Sequence, residues 1–172
     1  LESISLEGVE AIGEYAFAEC NSLKKVNMSE GLISIEEGAF KECTSLTEAK
    51  MPDSVETIKK EAFSDCDDLN SIHIPKNLKK TDLEDIFDFK SLTSITVGEG
   101  NKFYHSRDNC NAVIETASNK LLWASNNSTV PSGVITIGEY AFSDCDKIKE
   151  ITIPASVKTI ETGAFSNCSL QI

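Results

Sequence analysis

The chain repeats itself every 23 residues, and that period constrains its fold more than any other feature. Val9, Leu32, Val55 and Leu78 open four consecutive copies; Val134 and Val157 open two more after an interruption. Each copy reads V-x-x-I, then A-F-x-x-C, then L-x-x-I-x-I-P. Ala16-Phe17, Ala39-Phe40, Ala62-Phe63, Ala141-Phe142 and Ala164-Phe165 occupy matching places, and Cys20, Cys43, Cys66, Cys145 and Cys168 follow them. A fixed period of this length specifies a solenoid, because each unit buries its apolar face only against its neighbours. The expected organisation is one array over residues 1–172, with an irregular unit at 101–133.

The third copy shows how a unit should fold. Leu69, Ile72 and Ile74 alternate with polar Ser71 and His73, the period-two pattern of a strand with one buried face. Pro75 lacks the N–H that would extend the ladder, and all four prolines, Pro52, Pro75, Pro131 and Pro154, stand at this place. Val55 and Ile58 predict a second short extended stretch. The eight residues 59–66 between them and the next strand are predicted to form one to two helical turns, with Ala62 allowing close approach and Phe63 filling the interior. The aligned cysteines read as reduced core residues: no C-x-x-C or histidine-bearing ligand spacing is present, and five identical positions do not pair evenly. Cys110 lies outside the series, so the pattern does not set its environment.

The period fails in two places. In the fourth copy Thr81, Asp85, Ile86 and Phe89 stand where Ile, Ala, Phe and Cys are usual, although its strand, Leu92 to Val97, is intact. Residues 101–133 then depart altogether. Ala112–Thr116 and Lys120–Ala124 flank the turn-forming Ala117-Ser118-Asn119 and predict a β-hairpin. Either this insert displays Tyr104 and Trp123 as contact residues, or it is an irregular rung whose Phe103, Val113, Leu121 and Trp123 belong to the core. The second is the commoner use of apolar strand residues. The chain opens on Leu1, Ile4 and Leu6, which match the middle of a repeat, and is expected to be a segment of a longer protein.

Chemistry narrows the function further. The formal net charge is −12, from 28 acidic and 16 basic residues, so neither nucleic acid nor an anionic membrane is an expected partner. With no run of 18 apolar residues, this segment is not expected to insert in a membrane. His73 and His105 are the only histidines, and neither sits in a nucleophile motif; Gly98-Glu99-Gly100 lacks the Lys of a phosphate loop. Pairs such as Glu36-Glu37 and Asp67-Asp68 read as solvating charge. No catalytic, metal or cofactor site is expected, and the chain is not read as an enzyme.

What remains is the outward side of the strands. One column comprises Ser3, Lys25, Glu48, Ser71, Ser94 and Glu150; the other Ser5, Asn27, Lys50, His73, Thr96 and Thr152. A polar open face suits a protein or glycan partner better than a small ligand. The candidate contact residues are Lys25, Asn27, Lys50, His73, Thr96 and Thr152, with Tyr104 and Trp123 of the insert.

The run Ile137-Gly-Glu-Tyr-Ala-Phe-Ser-Asp-Cys to Pro154 resembles the BspA-type leucine-rich repeat, and Asp108–Thr116 resembles an irregular unit of such arrays in gut and oral Bacteroidetes. The resemblance implies an α/β, right-handed leucine-rich-repeat solenoid of short strands and short helical segments, β-rich, with an irregular hairpin-like insert. It further implies an extracellular, bacterial cell-surface location, with adhesion to a host or neighbouring cell as a monomeric array. A structural spacer in a larger surface protein is the alternative. The family has no catalytic residues to carry over.

Overall fold

A computed structural model describes residues 2–80, 86 and 91–169. The segments that the alternation marks supply β1 (Ser3–Leu6), β3 (Lys25–Met28), β5 (Glu48–Lys50), β7 (Ser71–Ile74) and β8 (Ser94–Val97). They lie parallel and adjacent in that order, as the main sheet. The V-x-x-I segments supply β2 (Ala11–Ile12), β4 (Ser34–Ile35) and β6 (Thr57–Ile58), a second parallel sheet in which Ile12, Ile35 and Ile58 stack in register. A turn joins the two sheets in each rung. At all four prolines the opener's N–H donates to the proline carbonyl: Val55 to Pro52, Leu78 to Pro75, Val134 to Pro131 and Val157 to Pro154.

The third side corrects the helical expectation. Among the described residues there is no helix; the A-F-x-x-C segments are successive turns. The cause is a left-handed residue on either side of each Ala-Phe pair: Tyr15 and Glu19, Gly38 and Glu42, Glu61 and Asp65, Tyr140 and Asp144, Gly163 and Asn167. A right-handed helix cannot pass through such residues. Alternate N–H groups point instead along the solenoid axis, Tyr15 to Glu37 O, Phe17 to Ala39 O and Glu19 to Lys41 O, each 2.8–2.9 Å. The next rung repeats the set from Gly38, Phe40 and Glu42, so this side too is a hydrogen-bonded wall.

Inside the walls the repeated residues stack. Phe17, Phe40 and Phe63 form a ladder with centroids 5.2 Å apart, and Phe142 lies on Phe165 at 5.0 Å. All six cysteines are free thiols; of the five in the series, Cys43, Cys66 and Cys145 are buried as expected, whereas Cys20 and Cys168 are half-buried. Cys43, Cys66 and Cys168 each donate to the carbonyl of the Phe in the preceding rung, Phe17, Phe40 and Phe142. Cys110 is fully buried. Of the fourth copy's substitutions, Thr81, Asp85 and Phe89 lie outside the described residues. Ile86 is buried, and its carbonyl accepts from Phe63 N where regular register would place residue 85, a slip of one residue.

The insert forms β9 (Tyr104–His105), β10 (Ala112–Glu115) and β11 (Lys120–Ala124), which join β12 (Thr136–Ile137) and β13 (Thr159–Ile160) in one sheet. The hairpin is present as expected, β10 antiparallel to β11. It is a septum. Tyr104, Val113 and Trp123 pack into the core of the first four copies, whereas Ala112, Ile114, Leu121 and Ala124 pack with the last two. A register shift permits this: Val113 pairs with Trp123 but Ile114 with Leu121, leaving Leu122 as an extra residue. The bulge turns Leu121 and Trp123, two apart on one strand, toward opposite cores.

Candidate functional site

The outward columns are observed in register. Ser3 pairs with Lys25, Lys25 with Glu48, Glu48 with Ser71 and Ser71 with Ser94; beside them His73 stands between Lys50 and Thr96. The inward partners of these positions, Val26, Ala49, Ile72 and Ile95, are buried, so the pleat leaves Lys25, Asn27, Lys50 and Thr96 exposed and His73 half-buried. Lys24, Lys41, Lys60, Lys79, Lys80 and Lys120 are ion-paired with glutamates, most of them on other rungs. Lys25 and Lys50 have no ion-pair partner among the described residues. β3 and β5 pair only at Lys25 and Glu48; beyond that point a groove of about 270 Å³ opens, lined by Lys25, Asn27, Glu48 and Lys50.

His73 is held in place. Its Nδ1 lies 2.9 Å from Thr96 Oγ1, and its Nε2 lies 3.4 Å from Asp53 Oδ1. Asp53 in turn accepts from the Lys76 backbone N–H at 2.8 Å. That N–H, with His73 assisting, holds the Asp53 carboxyl below its ordinary range. The arrangement ties three rungs together along the axis.

Three expected contact residues are placed elsewhere. Tyr104 and Trp123 are 2% and 4% exposed, because both fill the core beside the septum. They are not surface contacts; Phe103 is the more exposed aromatic of the insert. Thr152 is exposed but off the main sheet. Residues 150–153 make no strand, since the rung before them presents a polar loop, with Asn126 Oδ1 accepting from Lys147 N. The columns therefore end at Ser94 and Thr96.

At that end Asn111 does what no motif announced. Its Oδ1 accepts from Ile95 N at 2.6 Å, and its Nδ2 donates to Thr93 O and Ser125 Oγ, both at 2.7 Å. The side-chain amide thus replaces one peptide group of a missing neighbour strand. Ser125 and Ser128, both buried, complete the network. Beside it lies an open groove of about 530 Å³, bordered by Thr96, Val97, Ser106, Asp108, Asn109 and Asn111. The clusters of Asn and Ser at 109–111 and 125–128 were the available signal, readable as turn chemistry but not as a strand cap. Among the described residues no group of His, Cys, Asp or Glu is arranged to hold a metal ion, and no helix is long and apolar enough to cross a membrane.

Two short parallel sheets and a wall of turns, repeated about six times, define a leucine-rich-repeat β-solenoid. The chain belongs to the family described as "BspA type Leucine rich repeat region", with six copies matched over residues 1–111 and 120–172. The unmatched stretch, residues 112–119, is the whole of β10 and the turn after it, the first arm of the septum. A leucine rich cell surface protein from Faecalibacterium prausnitzii is 27% identical, with a TM-score of 0.67 over 99% of this chain and 54% of its own. The pneumococcal vaccine antigen PcpA shares the fold at 22% identity, with a TM-score of 0.65 over 99% of this chain and 55% of its own. A leucine-rich repeat protein from Eubacterium ventriosum matches at 21% identity and a TM-score of 0.51, over 96% and 59%. This chain thus spans little more than half the length of these structures. A comparison with curated protein sequences finds no significant match.

Proposed function

We propose that the array is a non-catalytic interaction module of a secreted or surface-anchored bacterial protein, which binds a protein or glycan on a host or neighbouring cell through the main-sheet face. The observation that carries this reading is the pair Lys25 and Lys50, exposed in the strand columns and without an ion-pair partner among the described residues, in a chain of charge −12. The likeness to a bacterial leucine rich cell surface protein supports the compartment. The face lacks Trp and Arg anchors, so affinity per array is expected to be weak and to rise when copies are clustered.

Immobilised matrix proteins and glycans, probed with the array, test the reading. Saturable binding that falls at least tenfold when Lys25, Lys50 and His73 are replaced together supports it; binding indifferent to that change removes this face from the proposal. The spacer reading draws on the chain's spanning only about half of its structural relatives. It requires that the parent protein bind normally when this segment is exchanged for an unrelated solenoid of equal length.

A further inference from the structure

We propose that the open half of β8's edge is a docking site for an extended peptide segment of a protein partner, added as one more strand to the main sheet. This rests on the reading of the array as an interaction module and gives the partner's chemistry. β8 is the last strand of the main sheet. Its even-numbered residues face β7: Ser94 N donates to Asn70 O and Gly98 N to Ile74 O. Its odd-numbered residues face away, where Asn111 has taken Ile95 N and Thr93 O. Ile95 O, Val97 N and Val97 O are the next groups on that side, and among the described residues nothing pairs with them.

Protein edges are normally closed by charge, proline, a bulge or a cover. Here the Asn111 amide closes one peptide unit, and the adjoining unit opens on the 530 Å³ groove. An acceptor, a donor and an acceptor at strand spacing match an incoming chain that offers N–H, C=O and N–H. A saccharide has no such alternation. Asp108 borders the groove and no Lys or Arg does, so the peptide should carry a Lys or Arg at one outward position.

The test uses a displayed library of random octapeptides, selected on the immobilised array and measured against Val97→Pro. That substitution removes the edge N–H without costing a ladder bond, since Val97 N makes none to β7. Selected peptides should bind Val97→Pro at least tenfold more weakly and Asp108→Asn several-fold more weakly. N-methylation of alternate peptide amides, which leaves the protein untouched, should abolish binding as well. In hydrogen exchange, peptide should protect the Val97 amide and leave that of Gly98, already bonded to Ile74 O, unchanged. Failure to enrich any peptide, equal binding to Val97→Pro in a folded variant, or an unprotected Val97 amide overturns the proposal. So does glycan binding at this groove, or self-association of the array lost in Val97→Pro. Partner binding that depends on Lys25, Lys50 and His73 but not on Val97 keeps the interaction module and removes this site.

Discussion

Tyr15 lies across Gly38 of the next rung, so closely that a Cβ on Gly38 would sit 2.3 Å from Tyr15 Cε1. Tyr140 covers Gly163 at the same distance, so the first and last pairs of rungs share one device. The backbone alone does not demand glycine here. Gly38 has φ of +61°, but the equivalent residues Tyr15, Glu61 and Tyr140 hold similar values with side chains. Glycine is required where a tyrosine ring lies above it.

A cycle of substitutions separates the two effects. Gly38→Ala should cost about 1–2 kcal/mol for the left-handed backbone, plus the displacement of the ring. In a Tyr15→Ala background only the backbone part should remain. Gly8→Ala, at φ of +71° with no atom within 4 Å of the added methyl, shows the backbone part alone. Urea denaturation of the set checks this, and equal costs for Gly38→Ala with and without Tyr15 would refute it.

The phenylalanine ladder should be most sensitive at its middle. Phe40 is fully buried and stacks on both Phe17 and Phe63, whereas Phe17 is half-buried with one such neighbour. Phe40→Ala is expected to cost about 3–5 kcal/mol, and Phe17→Ala clearly less. In a one-dimensional array the middle rung supports two interfaces. Denaturation midpoints of the two variants would reveal the order.

Much of this was legible in the sequence, for a physical reason. A residue that recurs at a fixed period in stacked rungs meets its own copy, so Ile35, Phe40 and Cys43 announce their burial by repetition. What was not legible depends on contacts across the period. The turn segments read as helical because eight residues suit one to two helical turns. The left-handed residues that forbid it are non-glycine at eight of ten positions, and Tyr15, Glu19, Gly38, Glu42, Tyr140 and Asp144 among them are held by hydrogen bonds to the next rung. Trp123 and Leu121 share a strand parity, and only the extra Leu122 sends them to different cores. At the candidate site, Lys25, Asn27, Lys50, His73 and Thr96 followed from the alternation. Asn111 did not, because a side chain replacing a peptide group leaves no periodic trace.

The buried thiols make stability depend on alkaline pH. Burial pushes Cys43 up to about 11 and Cys66 and Cys145 up to about 12, against 9.0 for an exposed thiol. As pH rises past 9 the unfolded chain releases protons that the folded protein keeps. Their contribution is therefore whole below that point and is lost progressively as pH rises toward the folded values. The urea midpoint should fall between about pH 8 and about pH 10, and less steeply in Cys66→Ala. Tyr15 and Lys41, also raised, act in the same direction, so the informative quantity is the difference in slope between wild type and variant. An identical slope would mean that the thiols are not what titrates.

The septum makes a sharper demand, because two neighbouring side chains on one strand should report on different halves of the molecule. Trp123 packs with Val113 against the first four copies, and Leu121 packs with Ile114 against the last two. Trp123→Ala should cost about 3–5 kcal/mol and Leu121→Ala about 2–5 kcal/mol, similar in size but different in place. Hydrogen exchange at two amides locates the loss. Gly98 N, bonded to Ile74 O, samples the first core, and Phe142 N, bonded to Ala164 O, samples the second. Trp123→Ala should speed exchange chiefly at Gly98 and Leu121→Ala chiefly at Phe142, as local opening spreads to the nearest rungs first. If both variants loosen both amides equally, the two cores unfold as one unit and the bulge at Leu122 does not divide them.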